Sequence, residues 1–543
     1  MPYNFADLVE HTVDAVPDRV ALVCADDRRT FAELEARTNA LAHVLQEGGV
    51  QPGEHVGIYS LNSIQWVEAA VAITKARAVP VNVNYRYVED ELRYLFDNAD
   101  LTALVYAEEF GPRVAHVRDE LPLLKTLMMI EDGTGADQGT LDPIPFEQAV
   151  ASGSSERDFG PRSPDDQVII YTGGTTGMPK GVMWRGEDLF FALAGGIDPF
   201  TRIPVESEWV QSENAKASPG QLVFMNTPPL MHGAAFVGSF MQLFQGNINV
   251  LVPKFDPTDV WRVIARERVN SVLIVGDAMG RPMIESLEAI EADGEELDLT
   301  CLLSLSSSAA IFSPTVKQRY LERFPNLVIT DSIGATESGM NGIVTVGKDN
   351  TAMKGGPTVT PMKDTVVLDD DLKPVQPGSG VIGKVARGGN IPLGYYKDPV
   401  KTAETWITAA DGERYAMPGD FATVEEDGSI TLLGRGSVCI NTGGEKVYPE
   451  EVEQTLKAHP DVYDAIVVGV PDELWGQRVC AVVQPRAGAE VSLEALGAHC
   501  RDHLAGYKVP KELHVVAEVQ RSPSGKPDYP WAKELAQAGT HKA

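Results

Sequence analysis

The sequence predicts an α/β fold with a large amino-terminal domain and a small α+β domain at the carboxyl end. The chain has 543 residues, which is more than one hydrophobic core usually holds. Apolar strand-like runs alternate with amphipathic helix-like runs up to about residue 330, which favours stacked, mostly parallel sheets. After about Pro361 the pattern changes to short β segments, and from Tyr448 to a compact α+β arrangement.

We place the domain boundary between residues 436 and 437. Residues 1–436 are the predicted amino-terminal domain, and about 361–436 within it form a β-rich, barrel-like subdomain. Residues 437–543 are the predicted carboxyl-terminal domain, whose length suits an independent small unit.

The individual elements follow from local sequence signals. Thr30 and Glu33 have capping-box spacing and begin a helix that ends at Gly48-Gly49. Residues 206–220 are polar and are expected to form a surface excursion. A helix at about 63–76 between two strands makes a βαβ unit, and the predicted strands are 55–60, 79–83, 103–106, 167–171, 222–226, 248–252, 271–275, 302–306 and 327–330. The carboxyl-terminal elements are helix 449–458, strands 464–469 and 478–483, helix 493–504 and strand 513–517.

Composition and charge exclude several classes of protein. The formal net charge of -31 argues against nucleic acid or anionic lipid as a partner, although it allows an anionic ligand in a locally positive pocket. No apolar run approaches the roughly 20 residues of a membrane span, and the amino terminus lacks a signal-peptide pattern. We therefore expect a cytoplasmic protein. Its five cysteines are widely spaced, which predicts reduced thiols and neither a disulfide framework nor a zinc site: Cys24, Cys301, Cys439, Cys480 and Cys500.

The stretch from Tyr171 to Gly181 reads YTGGTTGMPKG and follows a predicted strand. Its glycines allow backbone amides to approach an anion, and its threonines and lysine supply further donors. It is not a Walker A loop, because Pro179 precedes Lys180 and Gly181 follows it. The stretch predicts a phosphate-binding loop, with a flexible surface loop as the alternative. The expected phosphate contacts are Thr172, Gly173, Gly174, Thr175, Thr176, Gly177 and Lys180.

Residues 331–337 read DSIGATE and would place a hydroxyl and a carboxylate where a strand ends in a turn. A carboxylate beside phosphates is repulsive unless a cation lies between them, so Glu337 is a candidate magnesium ligand. A surface glutamate after a turn is the alternative.

Three further turns carry candidate binding residues. Asp420 follows a Pro-Gly turn and could accept both hydroxyls of a ribose, while Arg435, one short hairpin later, is a bidentate donor. Gly443-Gly444 would allow a narrow ligand to pass closely, and Lys526 lies on a Ser-Gly turn near the end of the chain. Ordinary turn or surface residues are the alternative at each position.

Taken together and in this order, these stretches resemble the AMP-forming acyl-CoA synthetase family. This family belongs to the adenylate-forming superfamily, which also holds firefly luciferase and peptide-synthetase adenylation domains. The similarity runs from the TFAEL segment at Thr30 to Lys526, and it rests on six stretches in family order.

The resemblance implies a role for each candidate residue. Residues 172–180 would hold the β- and γ-phosphates of ATP, and Asp420 with Arg435 would hold the ribose. Lys526 would orient the reacting carboxylate and α-phosphate. The remaining implied site residues are Thr336 for the α-phosphate, Glu337 and Thr176 for Mg2+, Asp331, Ser332 and Ile333 beside the nucleotide, and His232 between the acyl and nucleotide sites.

The resemblance also implies that the carboxyl-terminal domain moves between two half-reactions. Rotation about a hinge after Gly436 would withdraw Lys526 and bring the Gly443-Gly444 loop to a pantetheine tunnel for coenzyme A. The chain departs from the family pattern at Gly173, Ile333, Pro418 and the hinge residue Ser437. Ile333 would replace aromatic stacking on adenine by plain apolar contact.

The implied reaction is that of an acid:CoA ligase. A carboxylate attacks the α-phosphate of ATP to give acyl-adenylate and pyrophosphate, and the CoA thiol then displaces AMP. The partners are a small carboxylic acid, ATP and CoA, and a homodimer is left open. Two alternatives remain at this point: an adenylating enzyme that loads a separate carrier protein, and a non-catalytic nucleotide-binding regulator.

The nature of the acid is inferred from mostly small side chains at the positions that line the acyl pocket in this family. Small linings leave room, which favours a medium-chain, long-chain, branched or sterol-derived acid over acetate, with Phe236, Met241 and Met279 as apolar walls. Small residues selected for packing are the alternative, and Asp277 has no assigned role. The lining positions are Ala234, Ala235, Gly238, Gly276, Ala278, Ser307, Ser308 and Ala309.

Replacing Lys180 by alanine should mainly slow adenylation, because the lysine is expected to offset charge on the leaving pyrophosphate. Acyl transfer to CoA from supplied acyl-adenylate should survive. The two half-reactions can be followed separately as pyrophosphate release and acyl-CoA formation. An equal loss of pyrophosphate release and of acyl-CoA formation would contradict the assignment of Lys180 to the adenylation step.

Overall fold

The computed structural model describes residues 3–172, 178–198, 203–310, 312–347, 358–409, 412–442, 445–472, 475–522 and 525–540, with backbone only at 435, 437, 539 and 540. The chain divides into two compact units. The first unit comprises Met1–Ile274, Ser286–Leu305 and Asn390–Trp406, and the second comprises Val275–Glu285, Ser306–Gly389 and Ile407–Ala543. The domain boundary at 436/437 stays a prediction.

The α-helices of the described residues are α1 Phe5–Ala15, α2 Phe31–Glu47, α3 Ile64–Lys75, α4 Glu89–Asn98, α5 Gly111–Val117, α6 Phe146–Ser152, α7 Gly186–Leu193, α8 Val210–Ala217, α9 Gly233–Phe244, α10 Pro257–Glu267, α11 Gly276–Ala292, α12 Pro314–Arg323, α13 Pro399–Thr405, α14 Pro449–Lys457, α15 Leu493–His503 and α16 Tyr529–Thr540. Within the described ranges, none is long and apolar enough to cross a membrane.

The strands up to residue 335 are β1 Val20–Cys24, β2 Asp27–Thr30, β3 His55–Tyr59, β4 Val79–Asn82, β5 Leu101–Ala107, β6 Thr126–Ile130, β7 Ile144–Pro145, β8 Gln167–Thr172, β9 Lys180–Arg185, β10 Val223–Asn226, β11 Ile248–Leu251, β12 Ser271–Ile274, β13 Ser304–Ser307 and β14 Val328–Ala335. The later strands are β15 Gly339–Val346, β16 Thr358–Pro361, β17 Thr365–Leu368, β18 Gly383–Arg387, β19 Gly394–Tyr395, β20 Trp406–Thr408, β21 Arg414–Ala416, β22 Asp420–Val424, β23 Ile430–Arg435, β24 Ile440–Thr442, β25 Glu445–Val447, β26 Val462–Asp472, β27 Gly476–Pro485 and β28 Glu512–Val515.

Two sheets with helical connections form the first unit. One has the strand order β19-β9-β8-β4-β3-β5-β6-β7 and is parallel from β8 to β7, whereas β9 and β19 are added antiparallel. The other has the order β2-β1-β11-β10-β12 and is parallel from β1 to β12. Parallel neighbours require crossover connections, and α3 supplies the one between β3 and β4.

The second unit is built mainly from antiparallel strands. Its larger sheet includes the run β14-β15-β16-β23-β22-β18, with β17 and β21 also paired to β18. Five of these strands, β17, β18, β21, β22 and β23, lie within residues 361–436, and the extent of the β-rich subdomain stays a prediction. A separate sheet has the order β25-β24-β27-β26, with β28 parallel to β27. Apolar clusters cover both faces of that sheet.

Most predicted elements are confirmed, and the differences have physical causes. Thr30 and Glu33 form the predicted capping box of α2, and Ser63 caps α3. Residues 206–220 were wrongly expected to be only a surface excursion: they contain α8, whose Gln211 and Ser212 are buried. The pairing of β24 with β25 was not predicted from the sequence; its opposed residues Ile440 and Val447 both pack into an apolar core. Helix α16 was not predicted.

Candidate active site

The candidate phosphate loop connects two strands of one hairpin. Strand β8 ends at Thr172 and β9 begins at Lys180, and these two residues are directly opposite each other in the antiparallel register. Gly181 faces the ring of Tyr171, where an added Cβ atom would come within 2.7 Å of the ring. The predicted residues Gly173, Gly174, Thr175, Thr176 and Gly177 lie outside the described residues. The structure therefore places a hydroxyl and a cation at the two ends of the loop.

The ammonium group of Lys180 is held by Asp398, a residue that the sequence did not single out. Lys180 Nζ donates to Asp398 Oδ2 and also lies 5.8 Å from the centre of the Tyr395 ring. Asp398 precedes α13 and accepts the backbone N–H of Lys401 through Oδ1 at 2.9 Å. The hydrogen bond from Lys180, together with that from Lys401, holds the pKa of Asp398 below its ordinary value.

A buried asparagine, Asn82, hydrogen-bonds both the end of β8 and the segment that carries His232. The Asn82 carboxamide accepts the backbone N–H of Tyr171 at 2.7 Å and donates to the carbonyl of Tyr171 at 3.1 Å. It also donates to the carbonyl of Met231. Asn82 is 4% exposed, so water cannot replace these bonds. Its polarity within the apolar run VPVNV was a signal that could have found it.

A second buried asparagine, Asn62, hydrogen-bonds the same segment. Asn62 donates to the carbonyls of Pro228 and Val252 at 3.0 and 2.9 Å, and it accepts the N–H of Leu230 at 2.6 Å. The chain then reaches His232, which has extended backbone and precedes the first residue of α9. The structure thus fixes the backbone that presents the histidine.

Helix α9 carries the first group of predicted acyl-lining residues. Ala234 is exposed and Ala235 is buried. An added Cβ on Gly238 would find only the Asn226 carboxamide oxygen within 4 Å, at 3.8 Å, so this position has free space. Phe236, expected as an apolar wall, packs instead against Trp66 and Phe240 in the core.

In the second unit, β14 and β15 form a hairpin with Thr336 and Glu337 in its turn. Asp331 on β14 pairs with Lys317 Nζ at 2.7 Å, and burial raises the pKa of its carboxyl despite that neighbour. Ser332 Oγ donates to the Ser307 carbonyl at 3.2 Å. The half-buried Ile333 packs on an apolar cluster formed mainly by later strands of the same sheet.

The remaining acyl-lining positions are linked to β14. The N–H of Gly276 donates to Ser307 Oγ at 3.2 Å, which joins the start of α11 to the end of β13. Beyond Ser308, Ala309 has a φ of 67°, a left-handed conformation that is strained for a residue with a Cβ. Asp277, unassigned from sequence, accepts the N–H of Ser313 at 2.8 Å and the guanidinium of Arg281 at 3.3 Å. Its role is that of an anchor for the start of α11.

The predicted ribose-binding pair lies on one hairpin. Strands β22 and β23 place Asp420 directly opposite Arg435 in their register. Gly419 has a φ of 103°, and its carbonyl accepts the N–H of Gly436 at 3.0 Å. The backbone therefore brings positions 420 and 435 together on neighbouring strands.

The turn that precedes Lys526 is hydrogen-bonded to a half-buried arginine, Arg521. Arg521 donates to both carboxylate oxygens of Asp464 at 2.6 Å and to the carbonyl of Gly525 at 2.9 Å. The N–H of Lys526 donates to Ser522 Oγ at 3.1 Å. Burial opposes the ionisation of Asp464, but the hydrogen bonds and charge of Arg521 outweigh it and lower the pKa of Asp464.

The same turn packs against the start of α11. A Cβ atom placed on Gly525 would lie 2.8 Å from the Cβ of Ala278 and 2.9 Å from Cγ1 of Val275. The structure thus brings the backbone beside Lys526 to the segment around Gly276. Lys526 itself is exposed, and Gly443 and Gly444 lie outside the described residues.

One further group of side chains has atoms close enough to meet a metal ion. The ligand atoms of Cys480, Glu512 and His514 lie within 4.8 Å of one another. Glu512 already receives Arg478 at 2.6 Å and pairs with His514 at 2.7 Å, and burial raises the pKa of the Cys480 thiol to about 12. These contacts account for the group as an ion-pair cluster.

Comparison with known proteins adds information about the whole chain. Residues 9–396 match the family described as AMP-binding enzyme, and residues 451–526 match the AMP-binding enzyme C-terminal domain. A medium/long-chain-fatty-acid--CoA/3-oxocholest-4-en-26-oate--CoA ligase of Mycolicibacterium smegmatis is 52% identical and aligns over 99% of this chain and 97% of its own length. A 3-oxocholest-4-en-26-oate--CoA ligase of Rhodococcus rhodochrous is also 52% identical, over 98% of this chain and 96% of its own length.

Two solved structures share the fold. The anthranilate CoA ligase AuaEII in complex with anthranoyl-AMP has a TM-score of 0.84 and 22% identity, and covers 100% of this chain and 98% of its own. ATP-bound MatB from Rhodopseudomonas palustris has a TM-score of 0.81 and 24% identity, over 98% of this chain and 99% of its own. These similarities confirm the predicted fold class.

Replacing Asn82 by alanine should lower the free energy of unfolding by about 2–5 kcal/mol, because three backbone groups lose a buried partner. Asn84 is the matched control: its carboxamide accepts one local N–H, from Arg86 at 3.0 Å, and its replacement should cost about 1 kcal/mol or less. Urea unfolding followed by tryptophan fluorescence measures both. Equal losses would contradict the role assigned to Asn82.

Replacing Asp464 by asparagine should destabilise the second unit by about 3 kcal/mol at pH 7, because Arg521 would keep a poorly solvated charge without its counter-ion. A carboxyl whose pKa is lowered by folding stabilises above its ordinary pKa of about 4, and this contribution is lost as the pH falls through the folded-state value.

The difference in unfolding free energy between wild type and Asp464→Asn should therefore shrink as the pH is lowered from 7 to 3. Asp461→Asn, at a carboxylate that is 50% exposed, serves as control and should change stability by about 0.5 kcal/mol or less. A difference that stays constant with pH would refute the ion-pair explanation.

Proposed function

The chain belongs to the family of AMP-binding enzymes, and on this basis we propose that it is an acid:CoA ligase. It would convert a carboxylic acid and ATP to acyl-adenylate and pyrophosphate, and then transfer the acyl group to CoA with release of AMP. The observation that carries this proposal is the near full-length similarity, at 52% identity, to relatives named as CoA ligases.

We assign the nucleotide side of the site to residues at the ends of three hairpins. Thr172 and Lys180, opposite each other at the base of the β8–β9 loop, would hold the β- and γ-phosphates together with residues 173–177. Asp420 would accept the ribose hydroxyls, assisted by Arg435 on the facing strand. Thr336 would donate to the α-phosphate. Directed donors of this kind stabilise charge that develops during phosphoryl chemistry.

Mg2+ is the metal that the donor types fit. The half-buried Glu337 would supply a hard carboxylate oxygen, and Thr176 is of a residue type that would supply a hydroxyl. A bound magnesium ion offsets negative charge on the phosphates. Glu337 would otherwise face those phosphates as an unscreened like charge.

Lys526 is the residue we assign to the adenylation step. Its backbone is held by Ser522 and, through Gly525, by Arg521. Its long side chain could then place an ammonium between the attacking carboxylate and the α-phosphate, which lowers the repulsion between two anions. No nucleophilic side chain is needed, because the substrate carboxylate and the CoA thiol perform both attacks. His232 would lie between the acyl and nucleotide positions.

We propose a medium-chain, long-chain or sterol-derived acid as the substrate. Gly238 has open space next to its backbone, and Ala234 presents only a methyl group at the first turn of α9. Small side chains leave volume for a bulky apolar acid. The relatives named above act, by name, on medium/long-chain fatty acids and on 3-oxocholest-4-en-26-oate.

The proposed domain division, 1–436 and 437–543, agrees with this chemistry because it separates Lys526 from the phosphate loop. Gly443 and Gly444 would belong to the second half-reaction, in which they would border the path of the CoA pantetheine. The hinge at Ser437 is part of the same proposal.

The purified enzyme should release pyrophosphate only when ATP, Mg2+ and a suitable acid are present, and mass spectrometry should then detect acyl-CoA. A panel from acetate through C8–C16 fatty acids to a 3-oxo-sterol carboxylate should show a preference for the larger acids. Lys526→Ala should lose pyrophosphate release by about 100-fold or more, whereas Lys533→Ala, at an exposed position on α16, should retain it.

Each part of the proposal has its own contrary outcome. A strong preference for acetate or an amino acid would refute the assignment of the acid. Acyl groups on a carrier protein without acyl-CoA would refute the acceptor. Absence of acid-dependent pyrophosphate release would refute the enzyme and favour a nucleotide-binding regulator.

A further inference from the structure

We propose that Asp398 is a positioning residue that competes with pyrophosphate for the ammonium group of Lys180, and so weakens pyrophosphate binding and speeds its release. This inference rests on the proposed function, because it assumes that Lys180 meets the leaving phosphates. The inference adds Asp398, which lies 218 positions from Lys180 in the sequence, to the phosphate side of the site.

The first support is the contact itself. Asp398 Oδ2 accepts directly from Lys180 Nζ, and the two side chains are 29% and 35% exposed. Neither group is sealed in the core, so a dissolved anion can reach the ammonium. An ammonium has three donors, of which Asp398 occupies one. A phosphate that approaches Lys180 must either displace the Asp398 carboxylate or bind with that negative charge only a few ångströms away.

The second support is that Asp398 cannot easily move away. Strand β19 pairs antiparallel with β9, the strand that begins with Lys180, and the chain reaches Asp398 three residues after β19 ends. The carbonyl of Asp398 accepts from Thr402 Oγ1 at 2.7 Å, and its Oδ1 accepts the N–H of Lys401 at 2.9 Å. The preceding Lys397 is fixed to Asp100 by a bond of 2.7 Å.

These restraints make the carboxylate a fixed negative charge rather than an adaptable one. Coulomb repulsion between fixed unit charges about 5–6 Å apart, at an effective dielectric constant of about 30–80 for side chains open to water, corresponds to roughly a three- to thirtyfold change in affinity. The arrangement holds Lys180 in one place while limiting how tightly it can retain pyrophosphate. A product that binds more weakly leaves faster, since affinity differences at one site lie mostly in dissociation rates.

The carboxylate also caps α13, and the substitution must separate this structural role from the electrostatic one. Asp398→Asn keeps an oxygen that can accept the Lys401 N–H and removes only the charge. Asparagine is as good an N-cap residue as aspartate. The matched control is Glu404→Gln, which removes an equal charge from the same helix, where Glu404 pairs with Lys401 at 2.8 Å and not with Lys180.

The test is calorimetric titration of wild type, Asp398→Asn and Glu404→Gln with magnesium pyrophosphate, combined with product inhibition of the adenylation step. Asp398→Asn should lower the pyrophosphate Kd and inhibition constant about three- to tenfold, and it should lower the KM for ATP without raising kcat. Glu404→Gln should change each constant by less than about twofold. In a Lys180→Ala background, Asp398→Asn should have a smaller effect than in wild type.

The outcomes distinguish this inference from the proposed function. If wild type releases pyrophosphate in an acid-dependent reaction but Asp398→Asn binds pyrophosphate as wild type does, or more weakly, the competition is refuted. An equal effect in the presence and absence of Lys180 would also refute it, because Asp398 would then act without the lysine. If wild type shows no acid-dependent pyrophosphate release, the proposed function fails first.

Discussion

The candidate site of the first unit depends on one constraint: backbone polar groups that leave a sheet inside the protein must still find hydrogen-bond partners. Asn82 meets this constraint for both Tyr171 and Met231, and Asn62 meets it for the segment that follows β10. Each carboxamide supplies donors and an acceptor on a short side chain. It therefore makes hydrogen bonds of the kind that a neighbouring strand would otherwise make. Tyr171, at the end of β8, and Met231, next to His232, are thereby held by one side chain of the same sheet.

The second unit meets a comparable constraint with charged groups. Lys317 pairs with Asp331 beneath the hairpin that carries Glu337, and Arg521 pairs with Asp464 behind the turn that carries Lys526. Buried ion pairs add little net stability compared with apolar residues, but they strongly disfavour arrangements that separate the two charges. Their effect here is to specify where the side chains of the candidate residues Glu337 and Lys526 begin. Glu337 and Lys526, the charged residues nearest the proposed chemistry, are therefore supported by ion pairs whose side chains have little exposure to solvent.

Several short-range patterns were predicted correctly from the sequence, whereas contacts over long distances were not. The capping box at Thr30, the βαβ unit and the strand before Thr172 follow from local rules, and the Asp420 and Arg435 motifs proved to lie on one hairpin. No local signal links Lys180 with Asp398, because only the pairing of β9 with β19 brings them together. Helix α8 was missed because its buried face is polar: Gln211 and Ser212 give no apolar periodicity.

The close approach of Gly525 to Ala278 and Val275 has a consequence for changing the substrate range of the protein. Laboratory evolution for smaller or differently shaped acids would naturally introduce larger side chains at the start of α11. A larger side chain at position 278 that points towards Gly525 would press on the backbone one residue before Lys526. Under the roles proposed for these two residues, selectivity and turnover would then not vary independently. Libraries that randomise α9 instead, around Gly238, would explore new substrates without this trade-off.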